Sequence, residues 1–133
     1  MVKRLISSFI FIFVLSSLLH GQSIGGIVNT YTAVTNMSPN SVTVSSVVGF
    51  SVGDRVLLIQ MKGATINQIN NASFGQVVAL GSAGNFEFTN IAAISGNIIT
   101  FVSNLCKPFA VSGKVQLIRV PVYNQATINA VVT

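Results

Sequence analysis

Tryptophan is absent from this 133-residue chain, cysteine and histidine occur once each, and only two acidic residues stand against seven basic ones. Each scarcity excludes something. A single cysteine, Cys106, rules out an internal disulfide, and as a small hydrophobe it is expected in the core. Histidine occurs only at position 20, inside a segment read below as a removable leader. A Ser-His-Asp or Cys-His catalytic arrangement therefore cannot be assembled from the remainder, and neither can a histidine metal site. The only carboxylates are Asp54 and Glu87. A glycosidase needs two at a set separation with one kept protonated, and nothing in the pattern pairs these two. No catalytic, cofactor-binding or metal-binding residue is assigned, and no cofactor is expected. The absence of Trp and the presence of only Tyr31 and Tyr123 leave little obvious material for stacking sugars.

The first residues have the three-part layout of a secretory signal peptide. "MVKR" is basic, "LISSFIFIFVLSSLL" is apolar, and "HGQS" offers the small residue Gly21 before a cut. The apolar run is short of the roughly 20 residues of a spanning helix. Residues 1–21 are thus read as a leader and residues 22–133 as a single exported β domain, with no stable membrane span after processing. That domain of about 110 residues is long enough for one core. It keeps five bases and two acids, a formal net charge of +3. Arg55, Lys62, Lys107, Lys114 and Arg119 are spread along the chain and read as solvated surface. A nucleic-acid footprint would group them with stacking aromatics, so no nucleic acid is expected as a partner.

What the chain does have is period-two alternation between turn residues, the mark of β-strands. "SVTVSS", "NFEFTNI", "NIITFVS" and "KVQLIRV" alternate, while "RVLLIQM" is apolar on both faces, as for a strand covered on both sides. In "NFEFTNI", Phe86 and Phe88 share one face and Glu87 and Thr89 the other. Glu87 is expected to solvate a polar sheet face.

The alternation repeats at long range. Residues 31–43, "YTAVTNMSPNSVT", lie over residues 88–100, "FTNIAAISGNIIT", without a gap. Thr32 falls on Thr89, Ser38 on Ser95, Asn40 on Asn97 and Thr43 on Thr100. After a two-residue difference in the loop, "FSVGDRVLLIQM" matches "FAVSGKVQLIRV", setting Phe50 on Phe109, Arg55 on Lys114 and Val56 on Val115. The match predicts an all-β, barrel-like fold of about six to seven strands. It would be a pseudo-twofold duplicated three-stranded unit (residues 31–61 and 88–120) joined by a connector (62–87) holding a further strand, "FGQVVALG". Phe50 and Phe109 are expected in equivalent core positions, and Tyr31, aligned with Phe88, is also expected in the core.

The duplication also decides the meaning of "GFSVGDR". A phosphate-binding P-loop needs Lys-Ser or Lys-Thr after its second glycine. This segment has neither, and the second copy replaces Gly-Asp by Ser-Gly. Gly53-Asp54 is a turn, with Asp54 capping it through its own side chain.

"VNTYTAV", "NSVTVSSVVGFSVGDRVLLIQMKGATI", the run at 84–88 and "VSGKVQLIRVPVYNQATI" together resemble the amino-terminal region of large secreted Bacteroidetes proteins. Those proteins carry type IX secretion sorting domains or gliding-motility-associated domains at their far carboxyl end. The resemblance implies an adhesin-like, secreted or cell-surface protein of which this chain is the amino-terminal part, with downstream domains of the same protein as neighbours. Two functions follow as expectations. One is a non-catalytic structural or adhesive module that meets a surface glycan or another cell-surface protein. The other is an accessory glycan-binding domain of a polysaccharide-degrading enzyme. The run "ATINAVVT" at the end reads as a strand with an open edge. The leader generates the first prediction. Intact-mass measurement on exported protein should place the new amino terminus within a few residues of Gln22, whereas a mass retaining Met1 through Leu19 contradicts it.

Overall fold

The alternating segments of the sequence form the strands of the barrel, and shorter or less regular segments add further strands. In the computed structural model, which describes residues 22–26 and 28–132, these are β1 (Gln22–Gly26), β2 (Tyr31–Ser38), β3 (Ser41–Val44), β4 (Arg55–Gln60), β5 (Thr65–Ile66), β6 (Val77–Ala79), β7 (Phe86–Ser95), β8 (Ile98–Phe101), β9 (Val115–Arg119) and β10 (Ala126–Val132). The leader and its cleavage point lie outside the described residues.

The chain divides into two units. In residues 29–121, six strands close into an antiparallel barrel in the order β2-β3-β8-β7-β4-β9. The expected further strand, β6, pairs with β5 as a separate two-stranded ribbon and does not enter the barrel. All its residues are exposed. The connector folds back tightly: a Cβ on Gly81 would meet the Gly63 carbonyl at 2.5 Å, and both glycines have positive φ, which only glycine adopts freely. In the other unit, β1 and β10 pair in parallel, and every residue of β10 is exposed.

The duplication is visible in the pairing. Exchanging β2, β3, β4 for β7, β8, β9 leaves the barrel order unchanged. Val34 faces Val44 as Ile91 faces Phe101, and Met37 faces Val42 as Ile94 faces Ile99. Each long strand carries one register irregularity at the same place, between Val34 and Asn36 and between Ile91 and Ala93. Such bulges bend a strand and sharpen its twist. Here they let β2 serve both β9 and β3, and β7 serve both β4 and β8. Even the turns exchange bonds: Val44 N–H donates to Asn97 C=O at 2.9 Å and Phe101 N–H to Asn40 C=O at 2.8 Å.

The third strands depart from the sequence alignment by two residues. Tyr31 faces Ile118, and its counterpart Phe88 faces Leu57, whereas the alignment sets Ile118 on Ile59. A slip of two is the smallest that keeps the same side chains facing inward. It also separates the two phenylalanines. Phe50 is buried, while Phe109 is only half-buried against the core, so their expected equivalence is corrected.

Inside the barrel, Val42, Val44, Val56, Leu58, Ile99, Val115 and Leu117 are almost fully buried. This filled interior explains a further correction. Small barrels are packed by their inward side chains, and here Thr32 and Val34 of β2 and Thr89 and Ile91 of β7 take those places. Tyr31 therefore points outward with 69% of its surface exposed, and so do Phe86 and Phe88. Thr32 is stabilised inside because its Oγ1 accepts the Ser46 N–H at 3.1 Å. Cys106 is exposed rather than buried, because it sits in an irregular loop held by its backbone.

Burial sets the expected cost of truncation. Phe50→Ala should destabilise by about 3–5 kcal/mol. Phe109→Ala should cost about 1–2 kcal/mol, in proportion to its partial burial. Denaturant unfolding of both variants checks the inequality, and equal losses contradict it.

Candidate functional site

Both carboxylates hold backbone. Asp54 Oδ2 accepts the Ser51 N–H at 2.8 Å while Asp54 N–H donates to Ser51 C=O at 3.1 Å, which is the expected turn cap. Glu87 does not simply solvate a face. Its half-buried side chain accepts the Cys106 N–H with both oxygens and the Lys107 N–H with Oε2, all at 3.0 Å. It pins the β8–β9 loop to β7. Gln60 has a similar role at β4's end. Its amide donates to Lys62 C=O at 2.6 Å and accepts the Ala110 N–H at 2.8 Å. Gly113 packs so closely on this amide that a Cβ there would overlap it.

The side chains left free for recognition gather on the outside of four adjacent strands, β2, β9, β4 and β7. Cross-strand register sets them in rows. Tyr31, Ile118, Leu57 and Phe88 form one row, and Ala33, Gln116, Ile59 and Phe86 form the next. Leu57, Ile59 and Ile118 are half-buried and the aromatic residues exposed. Arg55 lies over the Phe88 ring at 5.0 Å, and Lys107 over the Phe86 ring at 4.5 Å. The two rings meet edge to face at 6.2 Å. Cation–π contacts of this kind contribute about 0.5–1 kcal/mol each when exposed, enough to orient the rings. No acidic residue stands among the outward positions of these rows.

A cleft of about 420 Å³ opens in this wall between β2 and β9, lined by Ala33, Val34, Thr35, Val111, Lys114, Val115 and Gln116. It lies where the β2–β9 ladder stops, at Ala33 and Gln116. In the other half of the barrel the corresponding seam is closed. There Gly53 N–H donates to Ile91 C=O at 2.8 Å, Ile91 N–H to Asp54 C=O at 3.0 Å, and Asn90 Nδ2 to Gly53 C=O at 3.3 Å. The strand correspondence places Lys114 where Gly53 stands, and both have positive φ, 57° and 90°. Lys114 is the one non-glycine residue in that conformation among the described residues. Its N–H turns away to Val111 C=O at 3.0 Å.

The five scattered cations are thus not equivalent. Lys114 and Arg55 belong to the wall and Lys107 lies over one of its rings, whereas Arg119 ends β9 with its Nε buried and unpartnered among the described residues. Alternation alone did not place this surface, because it does not say which phase faces inward. Thr32 and Thr89, identical across the repeat and followed two residues later by Val34 and Ile91, carried that phase.

No family model matches the sequence, and no curated protein matches it. Two solved structures show partial similarity to this chain. One is the Gp54 tailspike of Acinetobacter baumannii bacteriophage AP22, in complex with A. baumannii capsular saccharide, at a TM-score of 0.46 and 16% identity over 79% of this chain. The other is the tailspike protein gp49 from Pseudomonas phage LKA1, at a TM-score of 0.43 and 19% identity over 76% of this chain. This chain spans 17% and 16% of their respective lengths.

Two stability outcomes follow. Gln60→Leu, which strips the Ala110 N–H and the Lys62 C=O of their partner, should cost about 2 kcal/mol. Lys114→Gly should instead stabilise the fold by about 1 kcal/mol, because glycine accepts the left-handed conformation without strain. Thermal and urea unfolding read both, and a destabilised Lys114→Gly contradicts the strain.

Proposed function

We propose that this chain is a non-catalytic structural and adhesive module of a secreted or cell-surface bacterial protein, and that it works by presenting the barrel's outer wall to a partner. The observation that carries this reading is the wall itself: exposed aromatic rings and cations share one surface of a closed barrel, and none of its row positions is acidic. A closed barrel suits such a role because it leaves no open edge to recruit strands indiscriminately. The resemblance to secreted Bacteroidetes proteins and the leader agree with an exported location. The two carboxylates, bonded to the turn at Ser51 and to the loop at Cys106 and Lys107, serve the fold rather than a reaction.

A second reading, an accessory glycan-binding domain, is favoured by the exposure of Tyr31, Phe86 and Phe88, since flat rings accept the C–H faces of sugars. Both readings predict binding without turnover. Purified protein incubated with a panel of polysaccharides should release no new reducing ends, and labelled protein should adsorb saturably to bacterial surfaces. Asp54→Asn should lower stability by about 1 kcal/mol through its turn and leave adsorption unchanged. Turnover that disappears in Glu87→Gln or Asp54→Asn would overturn the module reading.

A further inference from the structure

We infer that the outer wall formed by β2, β9, β4 and β7 is a binding platform for an acidic polysaccharide, with a carboxylate-bearing sugar seated in the Lys114 cleft. The inference rests on the module reading above and names the ligand class of the same surface.

Charge comes first. The wall carries Arg55 and Lys114, with Lys107 over the Phe86 ring, and none of its row positions is acidic; Asp54 and Glu87 lie at its margins, bound to backbone N–H groups. Such a surface attracts polyanions and repels a second copy of itself. Shape comes next. The cleft is of the size that holds a small ligand, and its lining combines an ammonium (Lys114), an amide (Gln116) and a hydroxyl (Thr35) with the apolar Ala33 and Val111. Sugars present the matching chemistry: C–H faces for apolar contact, hydroxyls for the amide, and on a uronate a carboxylate for the ammonium.

The aromatic residues extend the same logic along the wall. Tyr31 is next but one to Ala33 on the same face of β2, and Phe86 ends the row that begins at Ala33 and Gln116. A polymer leaving the cleft along either row meets ring surface and then a cation at Arg55 or Lys107. An acidic protein fits less well. A stable protein interface needs about 800 Å² per partner with a freshly buried apolar centre. Here the central Leu57, Ile59 and Ile118 are already half-covered.

Backbone strain gives the independent support. Lys114 adopts a conformation that glycine occupies at the corresponding place in the other half. Strain of this kind persists only where the surrounding structure imposes it, and it clusters at ligand-binding sites. The half with glycine has its seam closed by hydrogen bonds, and the half with lysine has the cleft.

The test uses the full exported chain and three polyuronates (polygalacturonate, alginate and polyglucuronate), with methyl-esterified polygalacturonate and poly-glutamate as comparisons. The expected result is saturable binding to at least one polyuronate. That binding should be at least tenfold weaker to the ester and to poly-glutamate, and should fall as salt rises. Lys114→Gly should lose at least tenfold in affinity although its fold is no less stable, Lys114→Arg should retain binding, and Phe88→Ser should weaken it. Absence of binding to all three polyuronates overturns the inference. So does equal affinity for poly-glutamate, which would indicate an acidic protein or unspecific charge, or unchanged affinity in Lys114→Gly. Saturable adsorption to cells that ignores carboxylates would leave the module reading standing and remove only this ligand class. Loss of adsorption altogether would remove both.

Discussion

Barrel closure depends on two bends. A six-stranded barrel of this size can close only if some strands turn from one neighbour to the next, and the bulges in β2 and β7 supply those turns at equivalent positions. Each bulge adds one residue to its strand at the point where pairing passes from one sheet to the other. The apolar interior then follows from the phase: Val34 and Ile91 face inward just before the bulge, and Met37 and Ile94 pack against the core after it. Leu58 and Leu117, opposite one another across β4 and β9 and both without exposed surface, join the two repeats on the far side. Without the bends, the same alternation would make an open sheet with edges to protect.

The duplicated unit was legible in the sequence because it lies in turn residues as well as apolar ones. Asn40 and Asn97, aligned by the repeat, make equivalent bonds where the β2–β3 and β7–β8 turns meet, their carbonyls accepting from Phe101 and Val44. The third strand was less legible. An alignment of apolar letters cannot distinguish registers that differ by two, since both keep the same face inward, and only the ladders show that Leu57 stands where Ile118 does. The exposure of Tyr31, against its expected burial, has a related cause. Hydrophobicity favours rings inside, but an interior already filled by Leu58, Leu117 and the valines has no room for them. The hydroxyl of Thr32 could instead be buried at low cost, because Ser46 supplies a donor.

The candidate site was almost invisible beforehand because it is assembled across strands. Arg55 and Phe88 are separated by 33 positions in the chain, yet one ladder sets them side by side. Lys107 reaches Phe86 only because Glu87 anchors the intervening loop, so a residue expected to do no more than meet solvent positions part of the wall. The basic residues look scattered along the sequence for the same reason that the aromatic residues do: β pairing gathers what sequence spacing separates.

The two-residue slip also bears on the outer wall. A strand pair in a closed barrel cannot slip by one residue without turning its core outward, so two is the smallest available change. It is also enough to alter a seam. On one side of the barrel it brings the Gly53-Asp54 turn against Ile91 and seals the wall with backbone bonds. On the other, the ladder that begins at Tyr31 stops at Ala33, and a lysine occupies the glycine's place beside a cleft. A repeat whose halves were fully symmetric would have either two seals or two clefts. By confining the asymmetry to the third strands, the barrel keeps a common core for both halves while leaving one seam open as a cleft.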